Sequence, residues 1–259
     1  MSHISVSELM TYWECPRRWR LNLDYRSPQS KAQVRGDWVH AYIEAMYNGT
    51  ARPGWEEVEE AWASRVGEAL LESRGRWWLD GLDPEYKLVL PLLENVEVRA
   101  RLDGLTHDDG CAIIQEIKYS DRPPDIAKPF QSPQALLYAA ILQRAQPDIK
   151  TCTARYILVG PEPAEAQGKR RSGAYKVEVV DRPLHNTDQW WAWAQQAARE
   201  MEAARALPFP LVRPTQGLHC NWCANGDYFK AYCQPLELFG TPPVQYRAAE
   251  EEGNEGVSV

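Results

Sequence analysis

The chain has 259 residues, 44% of them apolar and 25% charged, with a formal net charge of −7, which suits one large domain or one domain with appendages, and a substantial core. No apolar run reaches the ~18 residues that a membrane span needs. The opening MSHISVSELM has neither the charged nor the apolar region of a signal peptide, so a cytoplasmic protein with no membrane partner is expected. The acidic total hides a segregated charge. Arg17, Arg18, Arg20, Arg26, Lys31 and Arg35 are opposed only by Asp24, while Glu56, Glu57, Glu59, Glu60 and the tail residues Glu250, Glu251, Glu252 and Glu255 carry acid elsewhere. A polyanionic partner is therefore compatible with the net charge.

In chain order, Ser5 with Glu8 three residues on makes a capping box for a short helix ending near Cys15-Pro16, and Pro16 opens an arginine-rich helix, PRRWRLNL. Residues 36–47 (GDWVHAYIEAMY) read as a helix with His40 and Glu44 on one face. Residues 55–74 read as another, with Trp55, Val58, Trp62, Val66 and Leu70 as its apolar stripe. Strands are expected at 86–92, 96–105 and 112–119. In the second, Val96, Val98, Ala100 and Leu102 alternate with Glu97, Arg99, Arg101 and Asp103, the pattern of a strand with one face on the core.

Between the second and third strands lies Asp109-Gly110, the preferred pair for a two-residue type I′ turn. That register sets Asp103 opposite Glu116 and Arg101 opposite Lys118, with opposed Cβ atoms roughly 5 Å apart. Two carboxylates that close need a proton or a cation between them. Lys118 follows Glu116 by two and shares its face. A three-residue loop would instead turn Asp103 away from Glu116.

After the proline-rich DRPPDIAKPF, Ser132 caps and Pro133 opens a helix to about residue 145 that makes Gln134 and Tyr138 neighbours. A strand at 153–159 follows. The loop PEPAEAQGKRRSG then carries Lys169, Arg170 and Arg171 near a hairpin tip, ahead of a strand at 175–180 and a helix at 187–207 holding Trp190, Trp191 and Trp193. From residue 247 the composition is that of a disordered tail. Cys111 and Cys152 read as small core side chains. Cys220, Cys223 and Cys233 fall close together, and with Cys15 they supply four thiolates, the number held by one [4Fe-4S] cluster or one structural zinc.

Helix, three strands, helix and strand, with Asp103 on the second strand, Glu116-x-Lys118 on the third and Gln134-x-x-x-Tyr138 on the next helix, together resemble the PD-(D/E)XK nucleases. The resemblance is to their RecB-like branch, especially the iron-sulfur CRISPR-associated exonucleases and the nuclease domain of AddB, and it covers residues 5–233. It implies an α/β fold with a restriction-endonuclease-like αβββαβ core, a central mixed sheet flanked by helices, and an iron-sulfur clamp joining the terminal segments. A single nuclease domain then spans residues 1–246. Within it lie a helical N-terminal region, an insert at 50–80, a core at about 34–182 and a C-terminal helix with the cysteine segment at 183–235. An acidic tail occupies 247–259.

The same resemblance implies that His40, Asp103, Glu116 and the Ile117 carbonyl hold Mg²⁺ or Mn²⁺. It makes Lys118 the catalytic lysine, places Gln134 and Tyr138 beside the catalytic groups, and gives Cys15, Cys220, Cys223 and Cys233 to a [4Fe-4S] cluster, with Zn²⁺ the alternative. One departure is the nine residues between Cys223 and Cys233, longer than the spacing usual there. The implied activity is a DNA exonuclease acting on single strands or ends, with 5′ to 3′ polarity, in a prokaryotic or phage-infected cell, beside recombination or CRISPR adaptation proteins. Arg17, Arg18, Arg20, Arg101, Lys169, Arg170 and Arg171 are candidate phosphate contacts, and sequence-independent binding is expected.

The chemistry agrees. Phosphodiester hydrolysis needs an activated water and neutralised phosphoryl charge, which a divalent cation supplies. Carboxylates suit Mg²⁺, and an imidazole ligand broadens the choice toward Mn²⁺. Lys118 either gives up its proton to help deprotonate water or stays charged and stabilises the transition state. Two other classes remain open: a DNA-end binding or processing subunit active only within a larger complex, and a zinc-holding structural protein whose acids are surface charges.

Overall fold

Asp109 at φ 42° and Gly110 at φ 76° both occupy left-handed backbone, as a type I′ turn requires at its two central positions. The computed structural model describes residues 1–24, 29–51, 53–54, 58–163, 173–207 and 212. Around this turn β3 (Val96–Asp108) pairs antiparallel with β4 (Cys111–Tyr119), from Asp108 opposite Cys111 to Gly104 opposite Gln115. This is the register that the turn chemistry dictates.

Six strands form one mixed sheet. β1 (Ser2–Ser5) pairs parallel with β3 through Val96, Glu97, Val98 and Arg99. β2 (Asp83–Leu93) pairs antiparallel with β3 from Val96 to Leu105. β5 (Thr151–Pro161) runs parallel to β4, and β6 (Tyr175–Leu184) antiparallel to β5. Because β2 fills one edge of β3 along nearly its whole length, β1 and β4 share the other edge. They leave residues 100–103 of that edge without a strand partner. Asp103 stands in this gap. The expected pairings of Asp103 with Glu116 and of Arg101 with Lys118 do not form, because the β3–β4 ladder ends at Gly104 and Gln115, and Arg101 instead sits opposite Lys87 of β2.

Helix α3 (Lys31–Asn48) starts earlier than its periodicity indicates. Ser30 accepts from the Gln33 amide while the Gln33 side chain accepts from the Ser30 amide, and Gly49 ends the helix in left-handed backbone at φ 62°. Its Trp38, Val39, Tyr42 and Ile43 are buried with Trp62, Ala63, Val66 and Leu70 of α4 (Glu60–Glu72) and Trp77 of α5 (Arg74–Trp77). This cluster lies against Ile117, Ile157, Val159 and Val177 of the sheet. Truncating one of these tryptophans to Ala costs about 3–5 kcal/mol. Trp55 lies outside the described residues.

Side chains alternate along a strand, so Glu116 and Lys118 point away from the layer that Ile117 joins, toward α6 (Gln134–Ala145). Pro133 occupies the N-cap position of α6, one residue later than the sequence signal, although Ser132 Oγ still accepts from the Gln134 amide. α1 (Val6–Glu14) and α2 (Pro16–Asp24) meet at the buried Cys15, and α7 (Thr187–Arg205) is the last described helix. Cys152 is buried as expected, but Cys111 is exposed, because it flanks the turn, where the strand has emerged from the core. The chain divides into two compact units, Met1–Val6 with Gln29–Gln195, and Ser7–Pro28 with Gln196–Val259. All the candidate catalytic residues belong to the first. Among the described residues no helix is long and apolar enough to cross a membrane.

Candidate active site

Where β4 leaves β3, the Asp103 carboxylate takes over the work of the missing ladder. Its Oδ2 accepts from the Ile117 amide at 2.7 Å, and its Oδ1 lies 3.3 Å from Nδ1 of His40. α3 thus delivers His40 to the gap, anchored by the buried Val39 beside it. Glu116 is 2% exposed. One of its oxygens lies 2.5 Å from Lys118 Nζ, whereas Oε2 is buried with no hydrogen-bond partner. Lys118 Nζ also donates to Gln134 Oε1 at 2.9 Å, and Gln134 Nε2 donates to the Tyr138 hydroxyl at 3.0 Å. A continuous polar chain therefore runs Glu116, Lys118, Gln134, Tyr138. The one-turn spacing on α6 makes its last link.

The electrostatics follow from burial. Lost solvation, reinforced by the neighbouring Asp103 charge, pushes the Glu116 carboxyl up to about 7 against the pull of Lys118. Burial acts on Lys118 in the opposite sense, but the Glu116 and Asp103 charges outweigh it and raise its pKa. The upward shift favours the ammonium form of Lys118 while the two carboxylates beside it carry their charge. His40 is likewise raised, because its hydrogen bond to Asp103 and the surrounding carboxylates overcome its desolvation. Burial also raises the Tyr138 hydroxyl well above its ordinary value, which leaves it a neutral hydrogen-bonding group.

One residue here escaped the sequence reading. Ligand atoms of His40, Glu85 and Asp103 lie within 4.8 Å of one another, and this is the one such group among the described residues. Glu85 occupies the β2 position opposite Asp103, skipped by the ladder between Pro84–Gly104 and Tyr86–Leu102. Its φ of 54° is left-handed, like that of Asp109 and Asn186, but Glu lacks their tolerance for it. Backbone of this kind costs on the order of 1–3 kcal/mol and gathers at functional sites. Glu85 pairs with Arg101 Nε at 3.0 Å, and its pKa is raised by burial and by Asp103. Only the full β2–β3 register could have revealed it.

The donor set suits a hard divalent cation. Two carboxylates and an imidazole converge, and beside them a buried carboxylate oxygen without any donor calls for a positive partner. Of the expected ligands, His40 and Asp103 converge with Glu85, whereas Glu116 stays outside that group and meets them through its charge; Ile117 meets the site through its amide, which donates to Asp103. Elsewhere, Arg17 Nε donates to the Val212 carbonyl at 2.7 Å, Arg20 Nε to the Leu207 carbonyl at 3.1 Å, and Arg18 pairs with Glu14 at 2.9 Å. These contacts stay within the second unit. Lys169, Arg170, Arg171, Cys220, Cys223 and Cys233 lie outside the described residues.

The sequence profile of the PD-(D/E)XK nuclease superfamily matches residues 3–234. The chain belongs to that superfamily. No curated protein matches it. Among solved structures it is similar to a candidate exonuclease from Eubacterium rectale, at 12% identity and a TM-score of 0.50, covering 86% of this chain and 88% of the other. SSO0001 aligns at 13% identity and a TM-score of 0.44, covering 86% and 83%. LHK-Exo, solved in complex with dAMP, aligns at 13% identity and a TM-score of 0.32, covering 78% and 89%. At such identities the first likeness speaks for the fold alone.

Proposed function

We propose that this protein is a divalent-metal-dependent DNA exonuclease of the RecB-like branch, acting on single strands or DNA ends with 5′ to 3′ polarity. The observation that carries the reading is the buried, donor-free Oε2 of Glu116 beside Asp103 and His40, with Lys118 fixed between Glu116 and Gln134. A structural surface acid would be solvated. Mg²⁺ or Mn²⁺, held by His40, Asp103 and Glu116, would supply phosphoryl charge neutralisation and an acidified water.

The protein's own part is positional and electrostatic. Asp103 is locked by the Ile117 amide, so its carboxylate cannot swing away. Lys118, aimed by Glu116 and Gln134, presents a fixed positive charge to the oxygens on which charge develops as water attacks phosphorus and the P–O bond to the leaving sugar oxygen breaks. Tyr138 holds Gln134 in place. Lys87, Arg99 and Arg101 are exposed at alternate positions of β2 and β3, on the face that carries Asp103, and suit sequence-independent contact with a phosphate backbone. The basic residues Lys169, Arg170 and Arg171 and the arginines of α2 are further candidates.

We assign Cys15, Cys220, Cys223 and Cys233 to a structural [4Fe-4S] cluster, with Zn²⁺ the alternative; the spacing of the three later cysteines in the sequence and the burial of Cys15 support the reading. Host or phage recombination and CRISPR adaptation are the settings this activity serves. End-labelled single- and double-stranded DNA, incubated with Mg²⁺ or Mn²⁺, tests the reading. Progressive shortening from the 5′ end that EDTA stops is expected, and no cleavage with either metal would overturn it. Iron and acid-labile sulfide, measured on anaerobically prepared protein, test the cluster, with stoichiometric zinc the contrary result.

A further inference from the structure

Glu85 is the one carboxylate at the gap whose charge is already answered from outside the site. Across the β2–β3 pair Lys87 and Arg101 lie next to it on the same face, with Arg99 further along opposite Val89, all three basic side chains exposed. Arg101 Nε lies 3.0 Å from Glu85 Oε2, with the Arg101 side chain 68% exposed and that of Glu85 only 22%. The pair therefore joins the interior of the site to the solvent face. On the inner side, Glu85 shares the His40 and Asp103 ligand group, and the Glu116 carboxylate with its donor-free oxygen acts on the same His40 and Asp103. On the outer side, Arg101 heads a basic row that a polyanion would meet.

Glu85 thus has two competing cationic partners, Arg101 and a divalent ion in the site. Arg101 has two competing anionic partners, Glu85 and an arriving phosphate. A planar guanidinium binds phosphate oxygens bidentately, which favours transfer of Arg101 to a nucleic-acid backbone. We propose that Glu85 is a further metal ligand held in reserve by Arg101, and that a phosphodiester taking Arg101 frees Glu85 to bind the ion. Substrate binding then tightens metal binding, and by reciprocity metal tightens substrate. The left-handed backbone at Glu85 is what sets its carboxylate between the two claimants.

The inference rests on the metal-nuclease reading, and its test separates the two. Mn²⁺ affinity is measured by electron paramagnetic resonance of the free ion, on the full chain. The samples are wild type, Glu85→Gln, Arg101→Ala and the double variant, each with and without a non-hydrolysable phosphorothioate single strand. Glu85→Asn, whose residue type accepts left-handed backbone, serves if Glu85→Gln fails to fold. Glu85→Gln should weaken Mn²⁺ binding about tenfold or more, as loss of a metal-site group does. Arg101→Ala should tighten it about two- to fivefold, the size expected when a largely exposed ion pair stops competing, and only while Glu85 is present. The oligonucleotide should tighten wild type by a similar factor and leave Arg101→Ala unchanged.

Sulfate at equal charge replaces the oligonucleotide in a parallel series. Tightening by the strand but not by sulfate assigns the trigger to a nucleic-acid backbone, whereas equal tightening by sulfate would overturn that assignment. Unchanged Mn²⁺ affinity in both Glu85 variants would overturn the ligand role. Tightening by Arg101→Ala that persists in the double variant would reduce Arg101 to a general charge effect and overturn the latch. Absence of Mn²⁺ binding by wild type would overturn the nuclease reading itself.

Discussion

Replacing Glu116 by Gln separates catalytic need from stability, because burial makes this carboxylate useful and costly at once. Its pKa rises from 4.5 to about 7 in the folded protein. At 1.36 kcal/mol per unit, the ionised group costs the metal-free fold about 3 kcal/mol. The sign follows from linkage: a raised folded pKa means stability that is fully present below 4.5 and is lost as pH climbs through about 7. Glu116→Gln keeps the shape and removes the charge, while Lys118, half exposed, loses a partner but can turn to water. The net gain expected at pH 8 is therefore about 1–3 kcal/mol, or roughly 2–4 °C in Tm per kcal/mol for a chain of this size. At pH 4, below the 4.5 of the unfolded chain, Glu116 is protonated in both states and the two proteins should melt nearly together. Calorimetry in EDTA at both pH values measures the difference, and a cleavage assay should show the stabilised variant inactive. A variant no more stable than wild type at pH 8, or a gap of equal size at both pH values, would refute the account of a desolvated carboxylate.

Lys118→Ala should lower cleavage by on the order of 10²–10⁴ while the far-ultraviolet circular dichroism stays that of wild type, because its ammonium is half exposed and its loss leaves little void. The rise in Tm produced by Mn²⁺ should be larger at pH 8 than at pH 6, since the ion must displace protons from Glu116 and His40, both shifted upward; equal shifts would remove them from the ligand set. Gly160→Ala should lower Tm, because a Cβ there would strike the Arg122 carbonyl and crowd Pro124 Cδ at 3.2 Å, and the first of these is backbone that cannot rotate aside. About 1–3 kcal/mol is expected, read from denaturant unfolding, and an unchanged midpoint would contradict the packing.

Much of the site was legible without coordinates. Asp109-Gly110 carries its own turn chemistry, and a two-residue turn propagates a register along both strands, which sets the ladder as far as Gly104 and Gln115, one pair short of Asp103 and Glu116. Gln134 and Tyr138 meet through the same kind of rule, one helical turn apart. Tertiary structure decided the rest. β1 is four residues long and pairs with a strand some ninety positions away, and no local pattern announces such a partner. The early end of the β3–β4 ladder, which frees Asp103 to hold the Ile117 amide, depends on β1 and β4 sharing one edge. Glu85 is the plainest case. Its sequence neighbourhood reads as the approach to an ordinary strand, and only the β2–β3 pairing sets it opposite Asp103 with Arg101 at its side. Short-range sterics and hydrogen bonding write the turn and the helix spacing into the residues themselves, whereas a gap between strands exists only once distant segments have chosen the same edge.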